Sequence, residues 1–276
     1  QGKLLEAKNW LEQSLGVADQ LRGSVQRFSV LGMVAELVCS QGDYERAMQY
    51  AWEVCQLAEE FGSIWSMACG YTILGYAALI KGELTQAKQF FTKTASLCQE
   101  INAKFLSLNS QRWLGNIAYR QQDYTTAHHC FHEALTMADS LHRDTDVAIA
   151  LTGLGKVACA QENFASARAY FHQALALLQK TGALPDLLDA LVGMSQGWLQ
   201  AGAPERAARV LGFVRQHPSL LPLGQQGVAQ VYRQLQMILP EEILIAAQTS
   251  GATMSVAEAV ALALSEPDYN VEDGLK

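Results

Sequence analysis

Residues 114–131 read LGNIAYRQQDYTTAHHCF, and this stretch recurs along the chain at intervals of forty residues. The alanine inside it belongs to a column of six: Ala7, Ala47, Ala87, Ala127, Ala167 and Ala207. The position four residues later is mostly large and apolar, and its occupants are Leu11, Ala51, Phe91, Phe131, Phe171 and Leu211. A fixed period without insertions is typical of a solenoid, in which each unit packs only against its neighbours. The sequence therefore predicts a stack of similar units.

Each unit is predicted to be a pair of antiparallel helices. In the central unit, Leu114, Gly115 and Ala118 share one face of a first helix, and Ala127 and Phe131 share one face of a second. We expect the glycine column to face the alanine column, so that the two backbones approach closely, and the aromatic column to lie between neighbouring units. That glycine column consists of Gly75, Gly115 and Gly155.

Turn residues separate the predicted helices. Within each unit they are Gly42-Asp43, Gly82-Glu83, Gln122-Asp123, Glu162-Asn163 and Gly202-Ala203. Glycine tolerates a positive φ, and Asp or Asn caps the helix that follows. The second helices end on a column of which three members, but not His142, favour the left-handed conformation. Its members are Gly62, Asn102, His142 and Gly182.

These features resemble the tetratricopeptide repeat. The resemblance rests on Leu114-Gly115, on Asp123-Tyr124 and on Ala127 and Phe131 four residues apart, and it covers residues 1–216. It implies an all-α solenoid, a right-handed superhelix of antiparallel helix pairs. Because the period is forty rather than about thirty-four residues, we expect longer helices than in the common version.

Three segments are predicted along the chain. The solenoid occupies residues 1–216, and its first unit has only a second helix, from Leu4 to about Gln20. Complete units are expected at 28–61, 68–101, 108–141, 148–181 and 188–216. A C-terminal helical cap is expected at 217–265, with helices at 225–237, 241–248 and 255–264 and a polar outer face. Residues 266–276 are acidic and are predicted to be disordered.

A second resemblance concerns the end of the chain. The runs Pro204–Gly212 and Ser255–Leu264, PERAARVLG and SVAEAVALAL, resemble the C-terminal end of STAND-class signalling NTPases and related transcription regulators of bacteria. This resemblance implies a sensor region that follows an N-terminal NTPase or effector domain. The missing Met and the missing first helix at Gln1 favour the same view, that the chain is part of a longer protein.

Composition and charge narrow the range of possible functions. The net charge of -7 disfavours direct binding of nucleic acid, and neither a long apolar run nor a leader is present, which predicts a cytoplasmic protein that does not enter the membrane. The six cysteines fall mainly on apolar helix faces and are expected to be reduced thiols. We predict no cofactor.

No catalytic motif was found. The chain lacks a nucleophile elbow, a phosphate loop and an HExxH motif, so we expect no enzyme activity. His128 and His132 lie four residues apart on one helix face and could hold a metal, but no third ligand is evident. A solvated polar face is the favoured interpretation, and no metal site is predicted.

The candidate binding residues lie on the first helices, which line the concave groove in tetratricopeptide folds. They are Tyr76, Asn109, Arg112, Asn116, Tyr119, Arg120 and Lys156, with Glu36, Thr72, Thr152, Asp189 and Gln196 elsewhere on the same wall. Arg112 and Asn116 are spaced to bind a carboxylate or a peptide backbone, and they resemble part of a carboxylate clamp. Gly153 stands where the clamp would have a second Asn.

Three interpretations stay open. The chain is a sensor that binds a protein, a peptide or a small anionic inducer in its groove, with its own N-terminal domain as one candidate partner. Alternatively, it is a protein scaffold or oligomerisation domain without a groove ligand. In the third, the chain is an enzyme, which would need chemistry that these residues do not supply. For the groove itself, an ordinary solvated face also stays open.

Overall fold

The computed structural model describes residues 25–265, together with residues 10, 13–14, 16–17 and 19–20. All regular structure in these residues is helical, and no strand occurs among them. The complete helices are α1 (Val25–Ser40), α2 (Tyr44–Glu60), α3 (Ile64–Lys81), α4 (Leu84–Glu100), α5 (Lys104–Arg120), α6 (Tyr124–Ser140), α7 (Asp144–Ala160), α8 (Phe164–Thr181), α9 (Leu184–Gln200), α10 (Pro204–Arg215), α11 (Pro222–Ile238), α12 (Glu241–Ala252) and α13 (Val256–Leu264).

The helices from α1 to α10 form five antiparallel pairs. In each pair the first helix, here called the A helix, and the second, the B helix, are joined by a short connection. Each A helix begins three or four residues earlier than the sequence indicated. From α3 onward, this is because the A helix starts directly after the turn that closes the preceding B helix. The predicted helix at 4–20 and the tail at 266–276 fall wholly or largely outside the described residues.

The chain divides into two compact units, residues 1–137 and residues 138–276, and the division falls within α6. In the first unit, α1 to α5 pack successively, and each A helix also contacts the next A helix. In the second unit, α7 to α10 repeat this pattern, and α11, α12 and α13 pack against α9 or α10. The division at residue 216 between solenoid and cap stays a prediction.

The turns within the pairs have the predicted chemistry. Gly42, Gly82 and Gly202 have φ values of 87°, 84° and 83°, in the left-handed region. Asp123 accepts a hydrogen bond from the backbone N–H of Thr126 at 3.0 Å, and Asp43 and Asn163 cap their helices in the same way. These caps satisfy backbone donors that the first helical turn leaves unpaired.

The expectation for His142 was wrong. His142 has a φ of 52°, so it is left-handed like Gly62, Asn102 and Gly182. The turn imposes this conformation, because the next residue, Arg143, must donate its backbone N–H to the carbonyl of Ala138, at 3.0 Å. Gln122 and Glu162, with φ values of 61° and 60°, are left-handed for the same reason.

We had expected the glycine column to face the alanine column, but it faces the aromatic rings instead. A Cβ added to Gly75, Gly115 or Gly155 would lie 2.8, 3.1 or 2.9 Å from the ring of the phenylalanine on the following B helix. Those rings are Phe91, Phe131 and Phe171. The alanines of the column that the structure describes, from Ala47 to Ala207, are themselves buried.

The prediction that the aromatic column lies between neighbouring pairs is confirmed in each unit. The Phe91 ring stacks on Trp113 of the next A helix, with centroids 5.9 Å apart and an interplanar angle of 20°. In the second unit, Phe171 also contacts Gly193 of the next A helix. Both rings therefore join three helices.

One arginine links the end of the last helix, α13, to α10. Arg206 on α10 lies over the Trp198 ring at 4.8 Å and donates hydrogen bonds to the carbonyl oxygens of Leu262 and Ser265, the latter at 2.6 Å. These carbonyls belong to the last turn of α13, which has no intrahelical donors for them. The predicted capping box at the other end of α13 is confirmed by reciprocal hydrogen bonds between Ser255 and Glu258.

The outer face of these helices is mixed, because exposed polar residues such as Gln225, Arg233 and Glu242 alternate with exposed apolar ones. Met237, Ile238 and Ile245 are 79%, 56% and 55% exposed. Their helices are also longer than predicted, since α11 begins at Pro222 and α12 continues to Ala252.

Candidate functional site

The centre of the predicted site is one face of α5. Asn109, Arg112 and Asn116 are spaced three and four residues apart, so they share that face, and all three are half-buried. The guanidinium of Arg112 donates to the side-chain oxygen of Asn109 at 3.3 Å. It also lies 5.7 Å from the centroid of the Trp113 ring. The face therefore presents an oriented fork of donors beside two amides.

Tyr76 reaches this face from α3. Its ring contacts Trp113 edge to face, with centroids 5.3 Å apart, and it also packs against the buried Val34, Val38 and Ala77. Burial raises the pKa of Tyr76 to about 12, and the thiol of Cys39 adds to this shift. The hydroxyl therefore stays protonated at neutral pH and can act as a hydrogen-bond donor.

Tyr119 and Arg120 extend the same helix by one turn. Both are half-buried, and the Tyr119 ring lies 5.9 Å from that of Tyr124 on the next helix. Arg120 is the last residue of α5. The structure thus brings six of the seven predicted residues together within the first unit.

The charge of this region differs from that of the whole chain, which is -7. Neither α3 nor α5 contains an acidic residue, and together they carry Lys81, Lys104, Arg112 and Arg120. Lys81 is bound by the carboxylate of Glu45, at 2.6 Å, and by a second glutamate. The positive charge of α5 favours an anionic ligand.

Lys156, the seventh predicted residue, belongs to the second unit. Its ammonium pairs with the carboxylate of Asp189 on the next A helix at 2.7 Å. Its hydrocarbon stem covers Gly193, where an added Cβ would lie 2.9 Å from it. Two residues that the sequence placed on the groove wall therefore neutralise one another, and Lys156 contributes to packing.

Trp113 is the residue that sequence reasoning missed. It contacts Arg112, Tyr76 and Phe91, so it links the predicted site to the aromatic column. The signal was present, because the equivalent positions hold Met33, Ile73, Gly153 and Gly193, and only the central unit has an aromatic ring there.

The histidines and cysteines add little to the candidate site. His128 and His132 are exposed on α6, with ring centroids 6.2 Å apart. All six cysteines are free thiols, as predicted, and five are buried. Burial raises the pKa of Cys55 and of Cys159 to about 12, so neither is a reactive thiolate at neutral pH.

Comparison with known proteins agrees with this architecture. Residues 106–180 match the tetratricopeptide repeat family. The fold is a tetratricopeptide-repeat solenoid. No curated protein matches the sequence.

Three solved structures have the same fold. The crystal structure of BtubC (BKLC) from P. vanneervenii has a TM-score of 0.57 and 17% identity, over 86% of this chain and 92% of that one. A putative kinesin light chain from Podosopora anserina, with nearly identical TPR-like repeats, has a TM-score of 0.52 and 13% identity, over 83% and 98%. A substituted form of that kinesin light chain has the same TM-score and 14% identity, over 76% and 95%.

The repeats indicate a protein-interaction module, and no enzyme family is indicated. Among the described helices, none combines the length and the apolar character needed to cross a bilayer.

Proposed function

We propose that the chain binds an anionic group of a protein or peptide partner on the α5 face, and that the α5 face consists of Asn109, Arg112, Asn116, Tyr119 and Arg120. The observation that carries this proposal is the presence of two arginines and two amides, all half-buried, on a helix without an acidic residue. A guanidinium that is already oriented by Asn109 and Trp113 loses little conformational entropy when it binds a carboxylate.

A peptide carboxylate fits the site best. Arginine offers parallel donors to the two oxygens of a carboxylate, and Asn116, one turn further on, offers both a donor and an acceptor to a peptide backbone. Tyr76, at the edge of the site, offers apolar surface to a neighbouring side chain. A small anionic inducer would use the same donors.

We also propose that this module is the sensor of a larger cytoplasmic regulator. The resemblance of residues 204–212 and 255–264 to the C-terminal end of STAND-class regulators supports this context. In such a protein, a ligand that binds one state of the sensor more tightly than another shifts the equilibrium between an inhibited and an active state.

The test is a binding measurement with two pools of fluorescent random peptides, one with free C-terminal carboxylates and one with C-terminal amides. The free-carboxylate pool should bind the protein more tightly. Arg112→Glu should lower that affinity about 100-fold, roughly 3 kcal/mol, because a donor fork becomes a repelling charge. Arg112→Lys should lose less, because the charge stays and only the fork is lost.

Lys104→Glu is the matched control, since Lys104 is an exposed cation at the start of the same helix. It should change the affinity by less than about threefold, and circular dichroism should show all variants folded. Equal binding of the two pools, or an unchanged affinity in Arg112→Glu, would exclude the carboxylate site and favour a scaffold without a groove ligand.

A further inference from the structure

Large aromatic side chains are exposed at two turns of the first unit, away from the α5 face. Phe61 and Trp65 flank the turn from α2 to α3, and Ile101 and Phe105 flank the turn from α4 to α5. Phe61, Trp65 and Phe105 are 42%, 51% and 41% exposed. We call Phe61, Trp65 and Phe105 the aromatic rim.

The repeat does not require these aromatics. In the second unit the equivalent positions hold Leu141 and Thr181 in place of Phe61, and Thr145 and Pro185 in place of Trp65. Those residues form the same turns between helices of the same length. The rim is therefore a feature of the first unit and not a consequence of the fold.

The core is also complete without the outermost rings of the rim. Ile64 and Leu106, the sequence neighbours of Trp65 and Phe105, pack into one cluster with the buried Leu97 and Cys98. Trp65 and Phe105 are not part of this cluster; they occupy equivalent positions on α3 and α5, which contact one another. Exposed aromatic residues grouped in this way are typical of protein interaction sites.

The border of the rim is acidic. Glu59 and Glu60 end α2, and Glu100 ends α4; all three are exposed, and none forms an ion pair within the described part of the chain. Acidic residues at a helix C-terminus are disfavoured by the helix dipole, so stability does not explain them. Lys104 is the cation of this border.

We propose that the aromatic rim binds a basic helical segment of a partner protein. Its apolar side chains would pack on Trp65 and Phe105, and its Lys or Arg side chains would pair with Glu60 and Glu100. These two glutamates occupy equivalent positions on B helices that are in contact through Trp52 and Phe90. Residues seven apart on a helix are separated by about 10.5 Å, so one helical segment would present a cation to each glutamate.

The proposal is tested with two synthetic peptides of roughly 18 residues, about five helical turns, that share a leucine stripe. One carries lysines and the other glutamates on either side of the stripe, spaced seven residues apart. Fluorescence anisotropy should show that the lysine peptide binds at least tenfold more tightly. Glu60→Lys/Glu100→Lys should reverse this preference, and Trp65→Ser/Phe105→Ser should lower the affinity at least tenfold.

Two control variants distinguish the aromatic rim from other binding surfaces of the chain. Met237→Ser removes a more exposed apolar side chain, from the second unit, and Arg112→Glu alters the α5 face. Neither variant should change the affinity for the lysine peptide. Equal binding of the two peptides would overturn the proposal, and so would an equal loss in Met237→Ser. Light scattering that shows a dimer of the wild type, lost in Trp65→Ser, would assign the rim to a second copy of the chain and also overturn it.

Discussion

The A helices of the two units use their polar residues differently. On α5 in the first unit, Arg112 is oriented by an amide of its own helix and by an aromatic ring, and no acidic residue lies on that helix. On α7 in the second unit, the cation Lys156 is neutralised by Asp189 of the next A helix. The same repeat thus carries an arginine bonded to an amide of its own helix in one unit, and a lysine paired with an acid of the next A helix in the other.

A second cation of this unit also makes internal contacts, at the C-terminal end. Arg206 holds the last turn of α13 through hydrogen bonds to Leu262 and Ser265, and its guanidinium covers Trp198. Hydrogen bonds from a charged donor are worth about 1.5–3 kcal/mol each, and cation–π contacts add about 0.5–1 kcal/mol. If this comparison is correct, removing Arg206 should affect the second unit alone.

The largest expected effect is that of Arg206→Ala. It should destabilise the docking of α13 by about 2–3 kcal/mol, because the carbonyls of Leu262 and Ser265 lose a charged donor. Hydrogen exchange should show faster exchange at residues 256–264 and unchanged exchange in α3 and α5. Arg209→Ala, which removes an exposed arginine from the same helix, is the control, and a loss of equal size there would mean that the contact with α13 is not the cause.

A second prediction compares the glycine column of the two units. Gly155→Ala should destabilise the protein by about 1–2 kcal/mol, because its Cβ would lie 2.9 Å from Phe171, a ring that Gly193 confines on another side. Gly115→Ala should be close to neutral, since its Cβ would lie 3.1 Å from Phe131 and the gain in helix propensity is about 1 kcal/mol. Urea denaturation of the two variants measures both, and equal midpoints would contradict the assignment.

Much of the fold could be predicted because its signal is local and repeated. The six alanines at intervals of forty residues indicated the helix pairs, and residues such as Asp123 and Gly82 indicated the turns. The repeat could not show which column faces which, since a glycine beside an alanine and a glycine beside a phenylalanine leave the same periodicity. The pairing of Gly75 with Phe91 is a property of tertiary packing.

The candidate site was less predictable, for a different reason. Spacing along α5 placed Asn109, Arg112 and Asn116 on one face, and that arrangement is local. The partner of Lys156 is thirty-three residues away on another helix, and no local pattern indicates which of several acids it meets. The exposure of Trp65 likewise depends on what packs beside it, so composition alone gave no sign of the aromatic rim.

The smallest expected effect concerns the two polar pairs that define the comparison. A double-mutant cycle with Lys156→Met and Asp189→Asn should give a coupling of about 0.5–1 kcal/mol. This is a modest value, because Asp189 is 40% exposed and solvent screens the pair. Methionine keeps the hydrocarbon stem over Gly193, so the cycle reports the ion pair and not the packing. The coupling should fall in 1 M salt, where the screening length is about 3 Å.

The same cycle with Asn109→Ala and Arg112→Met should give a smaller coupling, below about 0.5 kcal/mol, because the Asn109–Arg112 hydrogen bond is long, at 3.3 Å, and half-exposed. A weak coupling would mean that the Asn109–Arg112 hydrogen bond costs little to replace, whereas a ligand at Lys156 would have to break a charged pair. A larger coupling at Asn109–Arg112 than at Lys156–Asp189 would reverse the comparison. It would make the α5 face the structural one and direct the search for a ligand to the second unit.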